Sequence, residues 1–226
     1  MISDQLQHLK RSDLSILQKL KQNAAPYNFA IEFEYYDFSG VSYKEAKKNM
    51  ETKAMEVINI KTEKGDIAIG VVKILPLSAS FKSFRYDTNR KVVTAYPVAM
   101  TIQYAVKVIL PRFTGIALPK ELEKIHKTVA AITKHEQGHV CIAVAAFNKM
   151  KQAALGFNGT GKTRLEAGNN LNAKIKKTLD SIIAESVANQ AEYDNKTYHG
   201  SITIEQEKYN ETITPECDAV YTSKTK

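Results

Sequence analysis

The chain has 226 residues, 43% of them hydrophobic, and a formal net charge of +8 from 32 Lys and Arg against 24 Asp and Glu. This composition supports a folded core and excludes a disordered chain. It lacks the roughly eighteen consecutive apolar residues of a spanning helix, and with no Trp it lacks the interleaved basic and aromatic residues of single-strand nucleic-acid binders. The lysines are scattered, with short clusters such as Lys47-Lys48 and Lys174-Ile-Lys176-Lys177, and read as a solvated surface.

In chain order, Leu6, Leu9, Leu14, Leu17 and Leu20 share one face and predict an N-terminal helical extension within residues 1–27. The first ten residues carry no apolar h-region and are not a signal peptide. Phe29, Ile31, Phe33 and Tyr35 alternate with Ala30, Glu32 and Glu34, the pattern of a half-buried strand over 28–36. Ser42 and Glu45 form a capping box that opens a short helix to about Ala54. Strands are expected near 56–61, 66–75, 80–94 and 96–109, with Pro111 ending the last.

Pro119 then opens a helix to about Leu155, because Leu122, Ile125, Val129, Ile132, His139, Ala143, Ala146 and Met150 form one apolar stripe. Gly156 is expected as its C-cap and Asn158–Gly161 as a turn. A second helix follows from about Arg164 to Glu192, with Leu165, Ile175, Leu179, Ile182 and Val187 on its buried side. Tyr193 to Lys226 reads as polar and irregular. The expected plan is a single α+β domain over 1–226, with a sheet-rich half at 28–112 and a helical half at 113–226.

Two motifs carry chemistry. Residues 135–139 read His-Glu-Gln-Gly-His, the H-E-x-x-H pattern of zinc hydrolases. Helical spacing puts His135 and His139 on one face to grip a metal ion, and Glu136 becomes the base that deprotonates a water. Residues 156–163 match G-x-x-x-x-G-K-[ST], the phosphate-binding loop. By composition alone the two matches arise by chance in about 1 in 130 and about 1 in 150 such chains, so context must separate them. The first lies in an apolar helix, where unpartnered polar groups are costly and a metal ion offers a partner. The second follows a helix tail instead of the buried strand that a phosphate loop requires, and nucleotide binding is rejected.

A catalytic zinc ion takes three protein ligands. The third donor is open on the residues alone among Glu185, Glu192, Asp194 and His199, the last in a short segment ending His199-Gly200. The chain resembles a bacterial family of predicted secreted zinc-dependent proteases, DUF922, over about residues 33 to 206. The likeness rests on Tyr36-Asp-Phe-Ser-Gly40, Ile109-Leu110-Pro111-Arg112, His135-Glu-Gln-Gly-His139 and Tyr193-Asp194-x-x-Thr197-x-His199-Gly200. It implies a zincin-like fold, one catalytic Zn2+ on His135, His139 and His199, and a peptide or protein substrate. Asp194 is the alternative ligand or a hydrogen-bond acceptor for a ligating His, and Tyr193 or Tyr198 the candidate oxyanion donor. The resemblance implies a secreted or periplasmic protein; with no signal peptide in the given chain, a protein that stays inside the cell and one whose signal was removed before residue 1 are both left open.

The expected function is therefore a zinc-dependent metallopeptidase with Glu136 as general base. The alternatives are an inactive, zinc-stabilised binding module and a basic nucleic-acid or nucleotide binder. The two cysteines, Cys141 and Cys217, leave both a single bridge and two free thiols open.

Overall fold

A computed structural model describes residues 26–61, 65–75, 77–89 and 91–197. The helix expected over residues 3–23, Tyr198, His199 and Cys217 lie outside them. The described elements are β1 (Tyr27–Phe38), α1 (Tyr43–Val57), β2 (Val71–Ile74), β3 (Ser78–Ser80), β4 (Ser83–Asn89), β5 (Val92–Val98), β6 (Thr101–Phe113), α2 (Pro119–Leu155), β7 (Gly159–Gly161) and α3 (Arg164–Thr197). The architecture is mixed α+β.

The contacts divide the chain into two compact units. One draws on Ile31–Ile74, Val106–Cys141 and Ala191–Lys226, the other on Met1–Ala30, Leu75–Ala105 and Ile142–Gln190.

In the first unit, strand order is β1-β6-β2. β2 runs antiparallel to β6, with Val71 opposite Ile109 and Lys73 opposite Lys107. β1 runs parallel to β6, because its contacts climb both strands together: Glu34 with Lys107, Asp37 with Arg112, Phe38 with Thr114. Lys107 is 1% exposed, and its ammonium meets the Glu34 carboxylate at 2.5 Å, the partner a buried cation requires. Pro111 does not end β6, which continues to Phe113. It lies beyond the last pairing with β2, so its missing N–H leaves no bond of that ladder unmade.

Ser42 caps α1 by accepting from the Glu45 N–H, and the Glu45 carboxylate accepts from the Val41 N–H. Ala46, Met50 and Ala54 then recur every four residues and pack with Tyr36, Phe38, Ile109 and Ile125. This stripe carries α1 to Val57, past the expected end. It consumes most of the strand expected at 56–61, of which one bridge, Lys61 to Ile67, remains.

In the other unit, the strand expected over 80–94 is divided. β3 pairs with the start of β6, while β4 and β5 form an antiparallel hairpin with Asn89 opposite Val92. The polar run Asp87-Thr-Asn-Arg-Lys91 marks that reversal. β5 also pairs with β7, which replaces the turn expected at Asn158–Gly161.

The glycines of the phosphate-loop match have a packing role here. A Cβ on Gly159 would lie 2.3 Å from the Leu171 nitrogen and 2.5 Å from the Ala167 carbonyl, so only glycine lets β7 lie this close to α3. The start of α3 carries a side-chain cap. Thr163 Oγ1 accepts from the Glu166 N–H, and the Glu166 carboxylate accepts from the Lys162 N–H. An acidic cap of this kind repels phosphate. The buried side of α3 in this unit is Ala167, Leu171, Ile175 and Leu179, spaced by four. Leu165 and Val187, expected to be buried, are exposed. Among the described residues no helix is long and apolar enough to cross a membrane.

Gly159→Ala is expected to lower stability by about 2 kcal/mol through overpacking, read as a lower urea midpoint at unchanged slope. Lys162→Ala, at the lysine of the phosphate-loop match, should leave the midpoint in place.

Candidate metal centre

α2 carries the H-E-x-x-H residues in its interior, all buried: His135 is 5%, Glu136 4% and His139 8% exposed. The third donor comes from the last turn of α3. The sequence read Tyr193–Thr197 as irregular, yet these residues continue the helix, with Tyr193 and Thr197 fully buried one turn apart. That turn delivers Asp194 to the two histidines. Asp194 Oδ1 lies 3.1 Å from His135 Nε2 and 3.0 Å from His139 Nε2, and the two Nε2 atoms are 3.2 Å apart.

His135, His139 and Asp194 could thus hold a metal ion. Donors around a tetrahedral ion with bonds of about 2.0–2.1 Å stand about 3.3 Å apart. The observed triangle is slightly tighter and presents one face of such a tetrahedron. The other weighed donors are elsewhere. Glu185 is half exposed and pairs with Lys149 at 2.5 Å, and Glu192 pairs with Lys196 on the helix surface. His199 and Tyr198 lie outside the described residues.

Supporting contacts fix the donors. The Thr197 hydroxyl donates to the Tyr193 carbonyl at 2.7 Å, which spends its one proton. Toward His135 Nδ1, 3.5 Å away, it can then act as acceptor only. A bound metal ion would take the Nε2 lone pair and leave the imidazole proton on Nδ1, toward Thr197; without the ion, Nε2–H donates to Asp194 Oδ1.

The Tyr193 ring stacks on His135 at 4.9 Å and meets His139 edge-on at the same distance. Its hydroxyl donates to the His135 carbonyl at 3.2 Å, a supporting place instead of the expected oxyanion-donor one. This fit requires Gly138, where a Cβ would fall 2.2 Å from the Tyr193 hydroxyl oxygen. Sequence reasoning passed over Gly138. A signal was present, since glycine inside a helix costs about 1 kcal/mol relative to alanine and asks for a packing reason.

The two carboxylates are tuned in opposite directions. Burial alone would raise Asp194, but hydrogen bonds from His135 and His139 outweigh it and hold the carboxyl well below its usual range. Burial pushes Glu136 up to about 7, with His139 opposing and Asp194 adding to the rise. Glu136 Oε2 meets no hydrogen-bond partner among the described residues.

Two more residues frame Glu136, and sequence reasoning gave neither a role. A Cβ on Gly70 would lie 2.6 Å from Glu136 Oε1. The Tyr36 phenol donates to the Ile69 carbonyl at 2.7 Å, and burial followed by the charge of Glu136 raises its pKa. Cys141, two residues past His139, is 5% exposed and disulfide-bonded.

Asp194→Ala is expected to weaken metal binding by at least about 100-fold, and Thr197→Val by about tenfold, the range for a supporting residue. Competition against a chromophoric chelator reads both. Stoichiometric metal on Asp194→Ala together with loss of metal from His199→Ala would reverse the assignment.

No curated protein and no solved structure matches the chain. One family model does, described as "Bacterial protein of unknown function (DUF922)", and it matches residues 33–200. That span contains the H-E-x-x-H helix, the Asp194 turn and the Gly70 bend, and the chain belongs to the DUF922 family.

Proposed function

We propose that the protein is a zinc-dependent hydrolase of peptide bonds with a zincin-like site. The observation that carries this reading is the pairing of two unlike features. A triangle of two imidazoles and a carboxylate stands beside a buried carboxylate, one oxygen of which meets no hydrogen-bond partner among the described residues. Two nitrogen donors and one oxygen donor suit zinc, with a fourth position left for water or substrate.

A zinc ion held there acidifies water and polarises a carbonyl. His135, His139 and Asp194 fix its place, and Thr197 keeps His135 in the ligating tautomer. Glu136 accepts the proton of the attacking water on its carboxylate and returns it to the amine nitrogen as the C–N bond breaks. A carboxyl pushed up to about 7 suits this work, since it both takes and releases a proton near neutrality. Tyr193 serves the site by packing, against both imidazoles.

Glu136→Gln is expected to keep stoichiometric metal and to lose at least about 100-fold in kcat on a random peptide mixture. Because the ionised carboxylate is the active form, turnover should fall as pH drops through its pKa. A nearby dication favours ionisation, so the acid limb of the parent should lie at or below pH 7. A Glu136→Gln protein that cleaves as fast as the parent would sink the mechanism. Melting raised by zinc with no hydrolysis of any peptide would identify a binding module instead.

A further inference from the structure

We propose that Tyr36 is a positioning residue for Glu136, acting through the Ile69–Gly70 backbone that it holds against the carboxylate. This rests on the hydrolytic reading above. Glu136 rises from a rigid helix, but its own side chain has three rotatable bonds, and among the described residues Oε2 has no hydrogen-bond partner to orient it. Packing must set its direction.

The packing surface is Gly70. An added Cβ there would stand 2.6 Å from Oε1, 2.8 Å from Cγ and 2.9 Å from Cδ of Glu136. The bare Cα of Gly70 is therefore a wall of the carboxylate pocket. Such a wall is useful only if it stays in place, and Gly70 sits in a bend, just before the pairing of β2 with β6 begins at Val71. Upstream, a single bridge at Lys61–Ile67 and one bond from the Ala68 N–H to the Ile60 carbonyl hold the segment.

Tyr36 supplies a fixed point between these anchors. It belongs to β1, is 4% exposed, and donates its hydroxyl to the Ile69 carbonyl at 2.7 Å. Its ring fills the core as a phenylalanine would, and the hydroxyl adds the pin. With the wall pinned, Oε1 is confined on the Gly70 side and Oε2 is left to reach a water. A shift of this wall moves the base and leaves His135, His139 and Asp194 where they are.

The test compares metal-loaded parent, Tyr36→Phe, Gly70→Ala and Tyr43→Phe on a mixture of random-sequence fluorogenic peptides. Tyr43→Phe is the structural control, because it removes another phenol from the same core, one that accepts from Thr128 Oγ1 at 3.2 Å. Tyr36→Phe should lower kcat about tenfold with KM within about twofold, and Gly70→Ala should lower kcat about 100-fold, as expected for a misplaced base. Both should keep parental metal content. Amide exchange at Gly70 and Val71 should accelerate in Tyr36→Phe and stay parental in Tyr43→Phe.

Unchanged exchange in Tyr36→Phe overturns the pin whatever the turnover. Faster exchange with parental kcat, or an equal kcat loss in Tyr43→Phe, overturns the positioning role. A parent that cleaves no peptide refutes the hydrolytic reading alone, and the exchange measurement still decides the pin.

Discussion

The closure of one helical turn on another governs the site. Tyr193, Asp194 and Thr197 leave the same turn of α3, and each meets the H-E-x-x-H turn of α2 in a different way. Tyr193 lies over Gly138 and stacks on His135, Asp194 reaches both imidazoles, and Thr197 approaches the far nitrogen of His135. A one-residue slip would remove all three contacts together. The close approach at Gly138 resists such a slip, because a side chain there would collide with the phenol.

This explains a cost that would otherwise be hard to offset. Two histidines and a glutamate are buried in a helix whose other inward residues are apolar. Unpartnered, each would carry a desolvation penalty of about 1–3 kcal/mol or more. The two imidazoles find Asp194, and a metal ion would satisfy all three donors at once. Glu136 keeps one oxygen without a hydrogen-bond partner among the described residues.

Much of this was legible in the chain, where local physics and tertiary packing agree. The bounds of α2 at Pro119 and Leu155 follow from a proline at the first turn and a long apolar stripe, and the cap of α1 follows from Ser42 and Glu45. The end of α3 was missed because the stripe that marks a buried helix face changes there from leucine to Tyr193, Asp194 and Thr197. A hydropathy pattern takes such inward polar residues for solvent-facing ones. The same blindness hid Gly70, whose importance lies in an atom it lacks, and Gly159, whose loop matched a phosphate motif while serving packing. Leu165 and Val187 were misplaced for the opposite reason: as exposed hydrophobics they matched helical spacing without facing a neighbour.

The division of labour between Asp194 and Glu136 follows from their surroundings. Both are carboxylates near the same two histidines, and composition cannot tell them apart. Asp194 is given two imidazole partners, which keep it ionised despite burial and suit it to hold a cation. Glu136 is given a glycine wall and one open oxygen, and burial lifts it to about 7. On the hydrolytic reading proposed above, neighbouring acids driven apart in this way would take separate chemical roles, one as fixed charge and the other as proton carrier. Exchanging the roles would require exchanging the environments, since among the described residues it is Asp194 that receives the two imidazole donors. The asymmetry is set by backbone, by the helix turn that aims Asp194 between the imidazoles and by the bend that brings Gly70 against Glu136.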